Sequence, residues 1–103
     1  MNERSKALPK TVDQAVDILL FGLSLQEKAA IANMRRDNLT DLHFSLGMFI
    51  RNEFNLWADN EELMDSCRLL LGKQDLHPDD ASSVIIESLW KNLQDTYALR
   101  VVE

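Results

Sequence analysis

Apolar residues recur at intervals of three and four along five segments of the chain, which is the period of an amphipathic helix. In the first segment they occupy positions 12, 15, 16, 19, 20 and 23. Thr11 with Gln14, and Ser24 with Glu27, have the spacing of a capping box. These patterns predict helices over residues 12–21 and 25–34. Gly22 is predicted to take the left-handed conformation that ends the first of them.

A third helix is predicted to start after Asn38, with apolar residues at positions 39, 42, 46, 49 and 50. Phe44 and Met48 widen its apolar face. Residues 53–60 lose the helical period but keep three bulky apolar side chains. We therefore expect a loop that its aromatic residues pin to the core, rather than a flexible linker.

Two more helices are predicted in the second half of the chain. Asn60 can cap a fourth helix with apolar residues at positions 63, 64, 67, 70 and 71, and Gly72 can end it. Pro78 suits the first position of a fifth helix, whose apolar stripe at 81, 84, 85, 89 and 93 makes it the longest. No segment alternates polar with apolar residues, so no strand is predicted.

The fold class that follows is all-α, a compact bundle or an orthogonal array of about five helices. With 103 residues the chain is long enough for one domain. We expect residues 1–10 to be a flexible N-terminal lead-in and residues 11–103 to be a single helical domain.

Charge and cysteine usage exclude several classes of function. Seventeen acidic against eleven basic residues give a net charge of −6, which repels a phosphate backbone, so no nucleic-acid partner is expected. A helix-turn-helix from helices two and three is a poor alternative, because Asp41 and Glu53 accompany its recognition helix. No apolar run is long enough to cross a membrane. Cys67, the single cysteine, excludes an internal disulfide and fits a cytoplasmic protein; it is predicted to lie in the core.

The third helix carries the most distinctive polar constellation. His43, Gly47 and Arg51 are spaced four residues apart and would share one inclined row. Gly47 could let another element approach closely, or could leave a floor on which the imidazole and the guanidinium hold an anion; close packing is the favoured interpretation. Arg51 followed by Asn52 could also reach the start of helix five, and we predict an ion pair between Arg51 and Asp80.

Other candidate chemistry has a simpler structural explanation. His77, Asp79 and Asp80 offer nitrogen and oxygen ligands, but helix capping explains them, and neither a metal nor a cofactor is expected. Trp90 is predicted to be buried, whereas Trp57 in its loop is the better candidate for an interaction anchor. Phosphate-loop, HExxH, GxSxG and paired CxxC motifs are absent from the sequence.

Two segments, LTDLHFSLGMFIRNEFNLW and HPDDASSVIIESLWKNL, resemble a family of small bacterial proteins known only as a domain of unknown function. The resemblance extends from about Val12 to Leu93. It implies a bacterial origin and one domain, and it carries over no activity, cofactor or catalytic residue. The residues that carry it are Leu42, His43, Gly47, Ile50, Arg51, Asn52, Phe54, Leu56 and Trp57, then His77, Pro78, Asp79, Asp80, Ala81 and Trp90.

The function that we expect from sequence is a non-enzymatic protein-interaction module, accessory or immunity-like, with an acidic surface and another protein as partner. Self-association stays open. The alternative is a small-ligand or enzymatic site around His43, Arg51, Asp79 and Asp80. The polar members of the two segments form either an open patch or a buried structural network. These candidate residues are His43, Gly47, Arg51, Asn52, His77, Asp79 and Asp80.

Overall fold

The regular structure in the computed structural model, which describes residues 8–58 and 60–98, is helical. The α-helices are α1 (Val12–Gly22), α2 (Leu25–Ala32), α3 (Leu46–Glu53), α4 (Glu61–Leu71) and α5 (Pro78–Leu93). A 3-10 helix, Arg36–His43, precedes α3, and a π-helical turn, Gln94–Ala98, follows α5. No strand occurs in these two ranges. The predicted all-α class is confirmed. Residues 1–7 of the predicted lead-in lie outside the described residues.

The longest helix, α5, is the centre of the fold and packs against the other four α-helices and the 3-10 helix. Ala81, Ile85, Ile86, Leu89 and Leu93 are each at most 1% exposed. Fully burying an Ile or Leu side chain stabilises a protein by about 1.5–3 kcal/mol, so these residues make a large contribution to stability. None of the helices in the described ranges is both long and apolar enough to cross a bilayer.

Helix termini follow the predicted chemistry at several positions. Ser24 and Glu27 form a reciprocal capping box at the start of α2, and Gly72 ends α4 with a φ of +72°. Gly22 does not take the predicted left-handed conformation. Instead α1 includes it, and Leu23 closes the helix in extended backbone with its N–H donating to the Leu19 carbonyl. An extended Leu23 leads directly into the cap of α2, so no left-handed residue is needed.

The predicted third helix is wrong in its boundaries. Residues 36–43 form the 3-10 helix, and α3 begins only at Leu46. Arg35 flanks the 3-10 helix without a side-chain cap, and the predicted cap residue Asn38 lies inside it. In a 3-10 helix, residues three apart point the same way, so Leu39 and Leu42 both turn towards the core.

Several apolar residues predicted to face inward are exposed instead, because α2 and α3 have only eight residues each and bury a narrow stripe. On α4 the buried stripe ends at Cys67, before the last turn. The residues wrongly predicted to face inward are Leu25, Phe49, Leu70 and Leu71, together with Phe44 and Met48, which were predicted to widen an apolar face. These side chains leave apolar surface on the outside of the molecule.

Candidate functional site

The guanidinium of Arg51 joins the last turn of α3 to the first turns of α5. Its Nη1 donates to Ser82 Oγ at 2.9 Å, and its Nη2 donates to the His43 carbonyl at 3.3 Å. Its Nε lies 3.3 Å from Asp79 Oδ1. Only 13% of the Arg51 side chain is exposed, whereas 63% of the Asp79 side chain is. We call His43, Arg51, Asp79, Ser82 and Ser83 the Arg51 cluster.

Two serines on α5 complete the cluster. Ser82 is fully buried and donates to the Asp79 carbonyl at 2.9 Å, and Ser83 donates to the same carbonyl at 3.0 Å. Such bonds from a serine to a carbonyl three or four residues earlier satisfy a hydroxyl inside a helix. The Ser82 oxygen is thereby turned to accept from Arg51.

Gly47 makes room for the Arg51 side chain. A Cβ at position 47 would lie 2.9 Å from Arg51 Nη1 and 3.7 Å from the nearest backbone atom, the Leu42 carbonyl oxygen. The close approach that was favoured from sequence is thus made by a guanidinium within the same helix, not by another helix.

His43 and Ser83 form the contact that most resembles catalytic chemistry. His43 Nε2 lies 3.0 Å from Ser83 Oγ. A hydroxyl has one proton, and a nucleophilic serine must give it to the histidine. The Ser83 hydroxyl also lies 3.0 Å from the Asp79 carbonyl oxygen, which can only accept, and a serine that donates its single proton there accepts from His43 Nε2. The contact then fixes the imidazole rather than activating the serine.

The structure brings His43, Gly47 and Arg51 together with Asp79 but leaves Asn52, His77 and Asp80 outside the Arg51 cluster. Asp80 and Asn52 are exposed. The predicted ion pair between Arg51 and Asp80 is wrong, because Arg51 pairs with Asp79. Successive residues of a helix point about 100° apart, so one of two adjacent carboxylates faces Arg51 and the other faces solvent.

His77 acts as the N-terminal cap of α5. Its Nδ1 accepts from the Asp79 N–H at 3.0 Å, and an accepting nitrogen carries no proton. The 3.7 Å distance between this atom and Asp79 Oδ2 is therefore not a charge pair in this geometry. Among the residues that the structure describes, no group of three or more His, Cys, Asp or Glu is arranged to hold a metal ion.

The two tryptophans have different surroundings. Trp57 is 56% exposed and meets the His77 ring edge-on, with centroids 5.8 Å apart. Trp90 is half-buried; its Nε1 donates to the Met34 carbonyl at 2.9 Å, and the Arg36 guanidinium lies over its ring at 5.2 Å. The role of Trp57 as an interaction anchor stays a prediction.

Sequence reasoning missed Ser82, Ser83 and the full role of Asn60. Asn60 was predicted as a cap, and its Oδ1 accepts from the Leu63 N–H at 3.3 Å. Its Nδ2 also donates to the Pro9 and Phe54 carbonyls, each at 2.9 Å. The serine pair inside an apolar stripe was a visible sequence feature, but nothing in the sequence indicates the tertiary partners of Asn60.

Among the residues that the structure describes, Cys67, Arg68 and Glu87 have shifted pKa values. Burial raises the pKa of the Cys67 thiol to about 11. Hydrogen bonding to Glu61 raises the pKa of Arg68, whose Nε is buried without a hydrogen-bond partner. The hydrogen bond from Arg36 lowers the pKa of Glu87. Because its pKa is raised, the Cys67 thiol is protonated at neutral pH and is a poor nucleophile.

Residues 8–93 match the family model described as a domain of unknown function, DUF6794. The chain belongs to the DUF6794 family. No curated protein and no solved structure matches the chain. The DUF6794 match ends at Leu93, where α5 ends, and it contains the whole Arg51 cluster. The family description states no activity.

Proposed function

We propose that this DUF6794 protein is a non-enzymatic module that binds another protein in an accessory or immunity-like role. One observation carries the proposal: the side chains best suited to chemistry bind one another, while large apolar side chains remain exposed. The three Arg51 donor groups all meet partners within the chain.

The exposed apolar side chains supply the surface for a partner. Scattered single exposures are normal, but residues close in sequence here form groups, such as Leu69 to Leu71 and Phe44 with Met48 and Phe49. Phe21, Phe44 and Leu69 are at least 85% exposed. Burying side chains of this size provides the affinity in most protein interfaces.

The net charge of the chain indicates the charge of the expected partner's surface. At −6, the chain attracts a partner with a basic face and speeds the encounter at low salt. We also place the protein in the cytoplasm, since its one cysteine is a buried thiol that takes no part in a disulfide.

The alternative, a small-ligand or enzymatic site around His43, Arg51, Asp79 and Asp80, has less support. The carboxylate that pairs with Arg51 is that of Asp79 and not Asp80, and the Ser83 hydroxyl has a backbone carbonyl acceptor at 3.0 Å. A ligand at Arg51 would have to displace hydrogen bonds that already satisfy the guanidinium. Thermal-shift screening with small anions and metabolites tests it, because a ligand specific for the folded state raises Tm.

Affinity capture tests the interaction proposal. The tagged full-length chain is expressed in its source cells, cross-linked and purified at low and at raised salt. We expect one protein to co-purify in a fixed ratio and to be released by salt. Enrichment of no protein under either condition, together with gel filtration at the mass of the chain alone, would refute the proposal. A dimer on the same column would instead indicate self-association.

A further inference from the structure

An apolar groove of about 350 Å³ lies between α2 on one side and the 3-10 helix and α3 on the other. Six of its eight lining residues are apolar, and Ser45 and Glu27 are the other two. The apolar ones are Leu23, Ala30, Ile31, Met34, Leu42 and Leu46. The helix α2 has eight residues and is about 12 Å long, a little over two helical turns, and the lining residues Leu23 and Met34 lie just beyond its two ends.

The apolar surface continues beyond the groove along α3. Phe49 comes four residues after Ser45 and three after Leu46, both of which line the groove. It therefore lies on the groove-lining face of α3, one helical turn further on. It is 49% exposed, and Phe44, next to Ser45 in sequence, is 85% exposed. Contact with a partner would cover these rings as well as the groove.

Acidic side chains border this surface. Glu27 lines the groove, and the exposed Asp41 lies three residues before the exposed Phe44, on the same side of the 3-10 helix. The two arginines on the 3-10 helix and α3 have acidic partners on α5: Arg36 bonds to Glu87, and Arg51 to Asp79.

The remaining charges nearby do not reverse this sign. Arg35 and Asp37, both exposed and two residues apart in the chain, carry opposite charges. Lys28 lies about 100° around α2 from Glu27, away from the groove-lining face. The groove therefore has an apolar floor and a negatively charged border.

A second apolar patch serves as a comparison. Leu70 and Leu71 at the end of α4 border a smaller hollow with Val84 on α5. Its one carboxylate, that of Glu87, lies 3.5 Å from the Lys91 ammonium and also bonds to Arg36. That patch therefore has no acidic surplus that would favour a basic partner.

We propose that the α2–α3 groove binds an amphipathic α-helix of a partner protein, with apolar anchors on one face and Lys or Arg beside them. Helices dock into grooves through anchors at positions i, i+3 or i+4, and i+7, which span about 10 Å and match the length of α2. A second copy of this chain, at a net charge of −6, would meet an acidic border with like charge. This inference rests on the proposed function and names the partner's chemistry.

The first experiment uses the full-length chain and two synthetic helical peptides of about 14 residues. Both have leucines at the anchor spacing; one has Lys and the other Glu at flanking positions. Fluorescence anisotropy should detect binding of the Lys peptide, with NMR amide shifts confined to α2, the 3-10 helix and α3. Equal binding of the Glu peptide, shifts elsewhere, or no binding of the Lys peptide would overturn the proposal.

Variants locate the contact on the protein. Phe49→Arg should abolish binding of the Lys peptide, and Leu70→Arg, a matched change on the exposed end of α4, should leave it unchanged. The double variant Glu27→Gln, Asp41→Asn should bind about fivefold more weakly at low salt. This difference should disappear at about 0.5 M salt, where charges are screened. Circular dichroism confirms that each variant folds, and the reverse dependence on Phe49 and Leu70 would contradict the groove as the site.

Affinity capture with the same variants separates this inference from the proposed function. If the captured protein is lost with Phe49→Arg, kept with Leu70→Arg, and contains a basic amphipathic helix that binds as a peptide, the groove is its site. Capture that survives Phe49→Arg would overturn the groove and leave the interaction function standing. A dimer in gel filtration that Phe49→Arg dissociates would make the occupant a second copy of the chain and also overturn the proposal.

Discussion

Replacing Arg51 with Met tests whether the Arg51 cluster holds α3 against α5. Methionine keeps an apolar stem of similar length but cannot donate to Ser82 or to the His43 carbonyl, and it cannot pair with Asp79. If these contacts stabilise the fold, Arg51→Met lowers the free energy of unfolding.

The magnitude follows from the exposure of each partner. A hydrogen bond to a charged group contributes about 1.5–3 kcal/mol when it is buried. The Asp79 carboxylate is 63% exposed, so its pairing with Arg51 contributes at most about 1 kcal/mol. Ser82 keeps its bond to the Asp79 carbonyl in the variant, which limits the loss at that residue. We expect a total loss of about 2–3 kcal/mol.

Urea unfolding followed by circular dichroism measures this loss. With a slope of about 1 kcal/mol per M for a domain of this size, the midpoint should decrease by about 2–3 M. Asp80→Asn is the matched control, because Asp80 lies next to Asp79 but outside the cluster. It should lose only the helix-dipole contribution of about 0.5 kcal/mol.

A free energy of unfolding for Arg51→Met within about 0.5 kcal/mol of the wild type, a difference typical of neutral surface substitutions, would show that the cluster does not hold α3 against α5. Independent destabilisation by Arg51→Met and Asp79→Asn would contradict their pairing. Residues in direct contact should show a coupling energy in a double-mutant cycle.

Three further predictions concern other residues. Gly47→Ala should destabilise the wild type, because the added Cβ would displace the guanidinium of Arg51. In the Arg51→Met background the same substitution should stabilise the protein by up to about 1 kcal/mol through helix propensity. A change in stability of the same sign in both backgrounds would contradict this. Cys67, fully buried with a pKa of about 11, should not react with a thiol reagent at pH 8 until urea unfolds the chain, and a rapid reaction of the folded protein would contradict its burial. Glu87, whose pKa is lowered by Arg36, should stabilise the fold above pH 4.5 and lose this effect as pH falls through its depressed folded pKa. The stability difference between wild type and Glu87→Gln, at most about 1 kcal/mol for a pair this exposed, should therefore vanish at low pH; a constant difference down to about pH 3 would exclude this role.

Local sequence chemistry predicted much of the fold. The capping box of Ser24 and Glu27, the left-handed Gly72 and Pro78 at the start of α5 each depend on residues close together in the chain. The identity of the central helix also followed from its long apolar stripe. The 3-10 helix was missed because apolar residues three apart fit either helix type, and the choice between them depends on the core that they face.

The candidate site was predicted in part. The sequence indicated that Arg51 reaches the start of α5, but the choice of Asp79 over Asp80 depends on how α5 is rotated about its axis. That rotation is set by the burial of Ala81 and Ile85, far from Arg51 in sequence. Exposure of Phe49 was missed for the same reason, since periodicity locates an apolar stripe but not its width.

The central position of α5 has a consequence for synthesis of the chain. Every other α-helix packs against a segment that the ribosome makes after it, so α1 to α4 emerge before the surface that they cover exists. The surface that these helices share is complete only once the chain has been synthesised to residue 93. Truncation anywhere within α5 therefore removes the common scaffold of the domain rather than one peripheral element.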